Sequence, residues 1–130
     1  MKRLIKDQKG QSMVEFALIL PILLLLVLAI IEFGFMFSDY LSLTNASRES
    51  VRYVSLGGSN SGAIERGKEV AVNLEPTKMN FEITPLSESR ERGDSVQVKI
   101  TYDYEFITPV ISIIFGNDLE LYAEATMRVE

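Results

Sequence analysis

The 130-residue chain contains neither cysteine nor histidine, which excludes disulfides, thiol nucleophiles and imidazole metal ligands. Its formal charge of −5 is unevenly spread: residues 1–10 carry Lys2, Arg3, Lys6 and Lys9 against Asp7, while residues 38–130 carry nine basic and fifteen acidic side chains. An acidic main part offers no Lys/Arg cluster to neutralise phosphates, so nucleic acid is not an expected partner.

The basic leader runs to Gly10 and is followed by an apolar stretch. Across residues 16–37 only Pro21, Glu32 and Gly34 interrupt aliphatic and aromatic side chains. A helix rises 1.5 Å per residue and a bilayer core is about 30 Å thick, so this stretch is long enough to span a membrane. It is too long for the apolar region of a cleaved secretory signal, and "LAIIEFG" offers no A-x-A cleavage pattern. The run is also too continuous for the core helix of a soluble domain. Positive residues stay on the cytoplasmic side, which places residues 1–10 inside and the acidic part outside. Pro21 removes one helical hydrogen bond and predicts a mild bend.

Glu15 stands at the edge of this apolar run. Ser12 and Glu15 have the spacing of a capping box, with Ser12 as N-cap and Glu15 reaching back to a free backbone donor. The wider pattern of basic leader, Gly10, four residues, Glu15-Phe16 and a long apolar helix resembles the processing signal of type IV prepilins and pseudopilins. "GQSMVEFALILPILLLLVLAIIEFG" is more closely similar to the start of the TadE-like family, minor pseudopilins of the tight-adherence (Flp) pilus system. The matching pieces are Gly10, the "VEFA" of residues 14–17, Pro21, the leucine-rich residues 23–28, and the second "EFG" at residues 32–34.

The resemblance implies that a membrane prepilin peptidase cuts between Gly10 and Gln11. Gln11 then becomes the N-terminus and Glu15 the fifth residue of the mature chain, with Phe16 completing the processing site. Glycine suits such a site because its backbone can lie extended without side-chain obstruction. Cleavage creates a positive α-amino group at the end of an apolar helix, and Glu15 of the same or a neighbouring subunit can neutralise it. Such an ion pair contributes more to register than to net stability. A capping role for Glu15 before assembly is compatible with a docking role after it. The expected partners are the prepilin peptidase, the major Flp pilin, other minor pseudopilins and an inner-membrane assembly platform. The alternative is an unprocessed single-pass scaffold or regulator of the same kind of complex.

Glu32 lies seventeen residues after Glu15, about 25 Å along a helix, close to the outer membrane surface. Two readings stay open for it: a carboxylate snorkelling into interfacial water, or a docking contact with a partner subunit.

The long helix is expected to continue outside, where Tyr40, Leu43, Ser47, Val51 and Val54 recur at helical spacing, until the glycine-rich residues 57–62 stop it. A second helix is predicted over residues 63–74, with Ile64, Gly67, Ala71 and Leu74 on one side and Gly67 weakening it. The period then changes to two. Met79, Phe81 and Ile83 mark one strand. Val96, Val98, Ile100, Tyr102, Tyr104 and Phe106 mark the second. Leu119, Leu121, Ala123, Ala125, Met127 and Val129 mark the third. Between the last two strands, Thr108 as N-cap, Pro109 at the first helical position and Gly116 as stop predict a short apolar helix. Its side chains Val110, Ile111, Ile113, Ile114 and Phe115 are expected to be buried under the sheet, the alternative being an exposed patch for a partner or the membrane surface.

The fold class that follows is α+β. A transmembrane helix over residues 11–37 leads into an extracytoplasmic domain over residues 38–130, whose three-stranded antiparallel sheet leans on the helix as in a pilin. No phosphate-cradling loop, nucleophile elbow or metal-ligand cluster is present, so neither catalysis nor a cofactor is expected.

Overall fold

The computed structural model describes residues 8–130, so the leader upstream of Gln8 lies outside the described residues. Helix α1 (Gln8–Ser55) is continuous over 48 residues and passes through Pro21 without a break in its assignment. At 1.5 Å per residue it is about 72 Å long. It is followed by α2 (Asn60–Val70), β1 (Met79–Thr84), β2 (Ser95–Tyr104), α3 (Pro109–Phe115) and β3 (Leu119–Arg128). The three strands form one antiparallel sheet in the order β1-β2-β3.

The two halves of α1 differ in their surroundings. Residues 9–31 are exposed apart from the half-buried Leu28, with Phe16, Ile22 and Ile30 facing outward. The C-terminal half buries a stripe of Leu43, Ala46, Ser47, Ser50, Val51 and Val54. Tyr40, expected on that stripe, is instead largely exposed. Leu43 and the small residues Ala46, Ser47 and Ser50 face the sheet and α2.

The sheet packs on this stripe through the apolar positions read from its alternation. Val96, Val98 and Ile100 of β2 are completely buried. In the register, Ile100 stands between Phe81 of β1 and Ala123 of β3, and Val98 between Ile83 and Ala125. Because a strand's side chains alternate, these neighbours all point to the α1 side. The second strand ends at Tyr104, and Phe106 folds back edge-on to its ring, with centroids 5.6 Å apart.

β2 and the outer part of α1 have matching lengths. Ten strand residues span about 33 Å, and the helix from Glu32 to Ser55 spans about 35 Å. One end of the sheet is tied to the end of α1, where the Glu130 N–H donates to the Ser55 carbonyl at 3.0 Å. The other end, at Tyr104, therefore arrives beside Glu32.

Helix α2 starts earlier and ends earlier than its apolar spacing predicts. Ser59 is its N-cap, its hydroxyl accepting from the Gly62 N–H at 3.1 Å, and Ala71 closes it. At Gly67 the helix passes close to both α1 and β1. A Cβ there would lie 2.5 Å from Ser50 Oγ and 2.6 Å from the Phe81 ring. Gly67 thus admits the neighbouring helix, and the Ser50 hydroxyl completes the seam by donating to the Ala63 carbonyl at 2.8 Å.

Candidate functional site

The expected processing residues lie in the first turns of α1. Gly10 and Gln11 are helical and exposed, so the extended backbone a peptidase needs must come from unwinding this end. Helix α1 already includes Gln8, which places Ser12 inside it rather than at its cap. The capping-box geometry is therefore not formed. Glu15 instead accepts a hydrogen bond from Gln11 Nε2 at 3.1 Å, one helical turn away. Glu15 and Phe16 both face outward, so this carboxylate stands on the lipid- or partner-facing surface of the helix.

Glu32 is placed differently. It is 2 % exposed on a helix whose neighbouring residues Ile31 and Phe33 are open to the surroundings. Its Oε1 accepts from the Tyr104 hydroxyl at 2.8 Å and the Ile107 N–H at 2.9 Å. Its Oε2 accepts from the Thr108 N–H at 2.9 Å and the Thr108 hydroxyl at 2.5 Å. Four donors occupy the roughly four lone-pair positions of a carboxylate.

This arrangement does not fit a carboxylate snorkelling into water. A contact between Glu32 and a partner subunit would first have to displace one of its own-chain donors. The residues that gather around Glu32 come from the end of β2 and the start of α3, more than seventy positions along the chain.

The local chemistry explains why α3 begins where it does. The two N–H groups that immediately precede it, those of Ile107 and Thr108, both donate to Glu32, and the Thr108 carbonyl accepts the first bonds of the helix from Ile111 and Ser112. Thr108 is the N-cap by position, as its sequence signal indicates, but its hydroxyl makes no bond to its own helix. It donates to the Glu32 carboxylate, a charge-assisted bond that sets the orientation of the side chain. Pro109, lacking an N–H, leaves no further donor unmet at the first helical position. The Tyr104 hydroxyl is held well above its ordinary pKa of 10.0, first by burial and then by its bond to the Glu32 carboxylate.

The apolar side chains of α3 are not under the sheet. Only Ile111 is buried; Ile113 and Phe115 are 83 % and 75 % exposed, and Ile114 and Val110 are also open. The sheet has no uncovered inward face near them, because Tyr104, Phe106 and Leu119 already close that end. Between α3 and α1 lies a mainly apolar cleft of about 410 Å³, lined by Ala29, Phe33, Met36, Phe106, Phe115 and Leu119 among others, with Glu32 and Asp118 also in its lining.

Fold and site together define an α+β protein built on one N-terminal helix that is long and apolar enough to cross a membrane, with an outer domain clamped to it at Glu32. A comparison with family models finds a similarity: residues 10–52 match the model described as TadE-like protein. The match covers the apolar helix and most of its extension, a third of the chain, and stops before α2 and the sheet. No curated protein and no solved structure matches.

Proposed function

We propose that the chain is a minor pseudopilin, a structural subunit of a tight-adherence (Flp) pilus that is cut by prepilin peptidase after Gly10. Its helix lies in the inner membrane with the leader in the cytoplasm and the sheet domain outside. The new α-amino group of Gln11 is neutralised by Glu15 of the same or a neighbouring subunit, and the exposed apolar half of α1 packs among other pilin helices. In this reading Glu15 is the docking residue, and Glu32 is the clamp that holds the outer domain to its own spine. The role is one of assembly rather than catalysis.

The observation that carries this reading is the TadE-like match over residues 10–52, which begins at the glycine of the cleavage signal and includes Glu15 on an outward-facing apolar helix. The rival reading, an unprocessed single-pass scaffold, draws on the helical state of Gly10 and Gln11, which no peptidase can cut without unwinding.

Intact-mass measurement of the protein from its native membrane separates the two. Loss of residues 1–10, with Gln11 as the first residue, is expected. A chain that retains the leader while pili form normally would overturn the pseudopilin reading in favour of the scaffold.

A further inference from the structure

We propose that α3 is seated in the outer leaflet of the bilayer, beside the chain's own membrane helix, with Ile113, Ile114 and Phe115 at the boundary of headgroups and acyl chains. This rests on α1 crossing the membrane, not on cleavage or pilus assembly. The TadE-like match ends at residue 52, so α3 lies outside the matched segment.

Four observations carry it. The first is height. Phe115 and Ile111 share a cleft with Ala29 and Phe33 of α1. Ala29 lies eight residues, about 12 Å, on the cytoplasmic side of Phe37, where the apolar run ends. A segment level with Ala29 and Phe33 is therefore level with hydrocarbon.

The second is continuity. Ile30, Phe33 and Phe37 on α1 and Ile113, Ile114 and Phe115 on α3 are all exposed, and Phe33 and Phe115 meet across the cleft between the two helices. Lipid that covers the first group reaches the second.

The third is charge. Residues 106–116 carry no charged side chain, in an outer domain rich in acidic groups. A charged side chain at acyl-chain depth is costly, so a segment free of charges can sit there without that penalty.

The fourth is the backbone. A chain that leaves regular structure near hydrocarbon must have its N–H groups satisfied from within the protein. Glu32 does this for Ile107 and Thr108, the residues that lead into α3. A buried carboxylate here makes sense if water cannot reach those groups.

The chain contains no tryptophan, so a single introduced one reports without background. Full-length protein carrying Phe115→Trp would be placed in phosphatidylethanolamine/phosphatidylglycerol vesicles, with and without bromine on the acyl chains. Leu24→Trp in the apolar run and Leu86→Trp at the far end of the sheet serve as references. The expected result is blue-shifted emission for Phe115→Trp that is lost in brominated vesicles, as for Leu24→Trp, while Leu86→Trp keeps its intensity. If Leu24→Trp is quenched and Phe115→Trp is red-shifted and unquenched, α1 spans the bilayer but α3 is in water, and the proposal fails. Blue-shifted emission without lipid quenching places α3 against protein, such as a second copy, and also overturns it. Ile113→Trp gives an independent reading should the Phe115 variant misfold.

Discussion

Glu32 and Tyr104 stand 72 residues apart in the chain, yet the tyrosine hydroxyl donates to the glutamate carboxylate across 2.8 Å. The bond joins the apolar helix to the central strand of the outer domain. With Ile107 and Thr108 it forms the lower clamp of the sheet, while the bond between Glu130 and Ser55 forms the upper one. The domain is thereby held at both ends of the outer spine.

Breaking the lower clamp has a graded cost. Tyr104→Phe removes one donor from a charged acceptor and is expected to destabilise the outer domain by about 2 kcal/mol. Glu32→Ala leaves the Tyr104 and Thr108 hydroxyls and two backbone N–H groups without their acceptor and is expected to cost about 3 kcal/mol or more. Glu32→Gln, which keeps one carbonyl oxygen, should fall between wild type and Glu32→Ala. Thermal or denaturant unfolding of the full chain in detergent measures the series. Equal stability of wild type and Glu32→Ala would show that the clamp carries no load.

The tyrosine also sets an alkaline limit. Burial, and then the bond to Glu32, raises its pKa in the folded state above the ordinary 10.0. On unfolding it returns to about 10 and releases its proton more readily. Its contribution is therefore fully present below about pH 10 and is lost as pH rises toward the folded value. Ultraviolet titration should find one of the five tyrosines ionising only with unfolding, and Tyr104→Phe should remove that component. Five tyrosines titrating together in the folded protein would contradict the clamp geometry.

The α1–α2 seam has no room for a methyl group at position 67. Gly67→Ala is expected to destabilise by about 1–3 kcal/mol, despite alanine's better helix propensity, because the new Cβ meets Ser50 and Phe81. Adding Ser50→Ala removes one of the two clashing groups. The double variant should cost less than the sum of the single ones in a double-mutant cycle. Additive or stabilising behaviour would mean the helices can separate freely at this point.

If the chain is the pseudopilin proposed above, Glu15→Ala is expected to leave cleavage after Gly10 intact while abolishing incorporation into the pilus. Replacing Gly10 with a bulky residue is expected to leave the chain uncut. Intact mass and immunodetection of sheared pili read the two steps separately. Normal incorporation of Glu15→Ala would assign Glu15 only its local bond to Gln11.

Some of this was legible from residue spacing and some was not. The short helix after Phe106 was marked by Thr108, Pro109 and Gly116, and it forms as marked. The position of its apolar face was not. Side chains such as Ile113 and Phe115 have the composition of a core, and only the closure of the sheet end by Tyr104, Phe106 and Leu119 leaves them outside. Gly67 similarly reads as a helix-weakening residue until the neighbouring Ser50 and Phe81 give it a reason.

The sequence by itself determined the apolar helix, the three strands with their inward faces, and the short helix between the last two. These depend on periodicity and on glycine or proline at a few positions, which act over a few neighbouring residues. Only the tertiary structure decided the partners of Glu32, the exposure of α3 and the close approach at Gly67. Each of these depends on which distant segments meet, and local spacing carries no record of that.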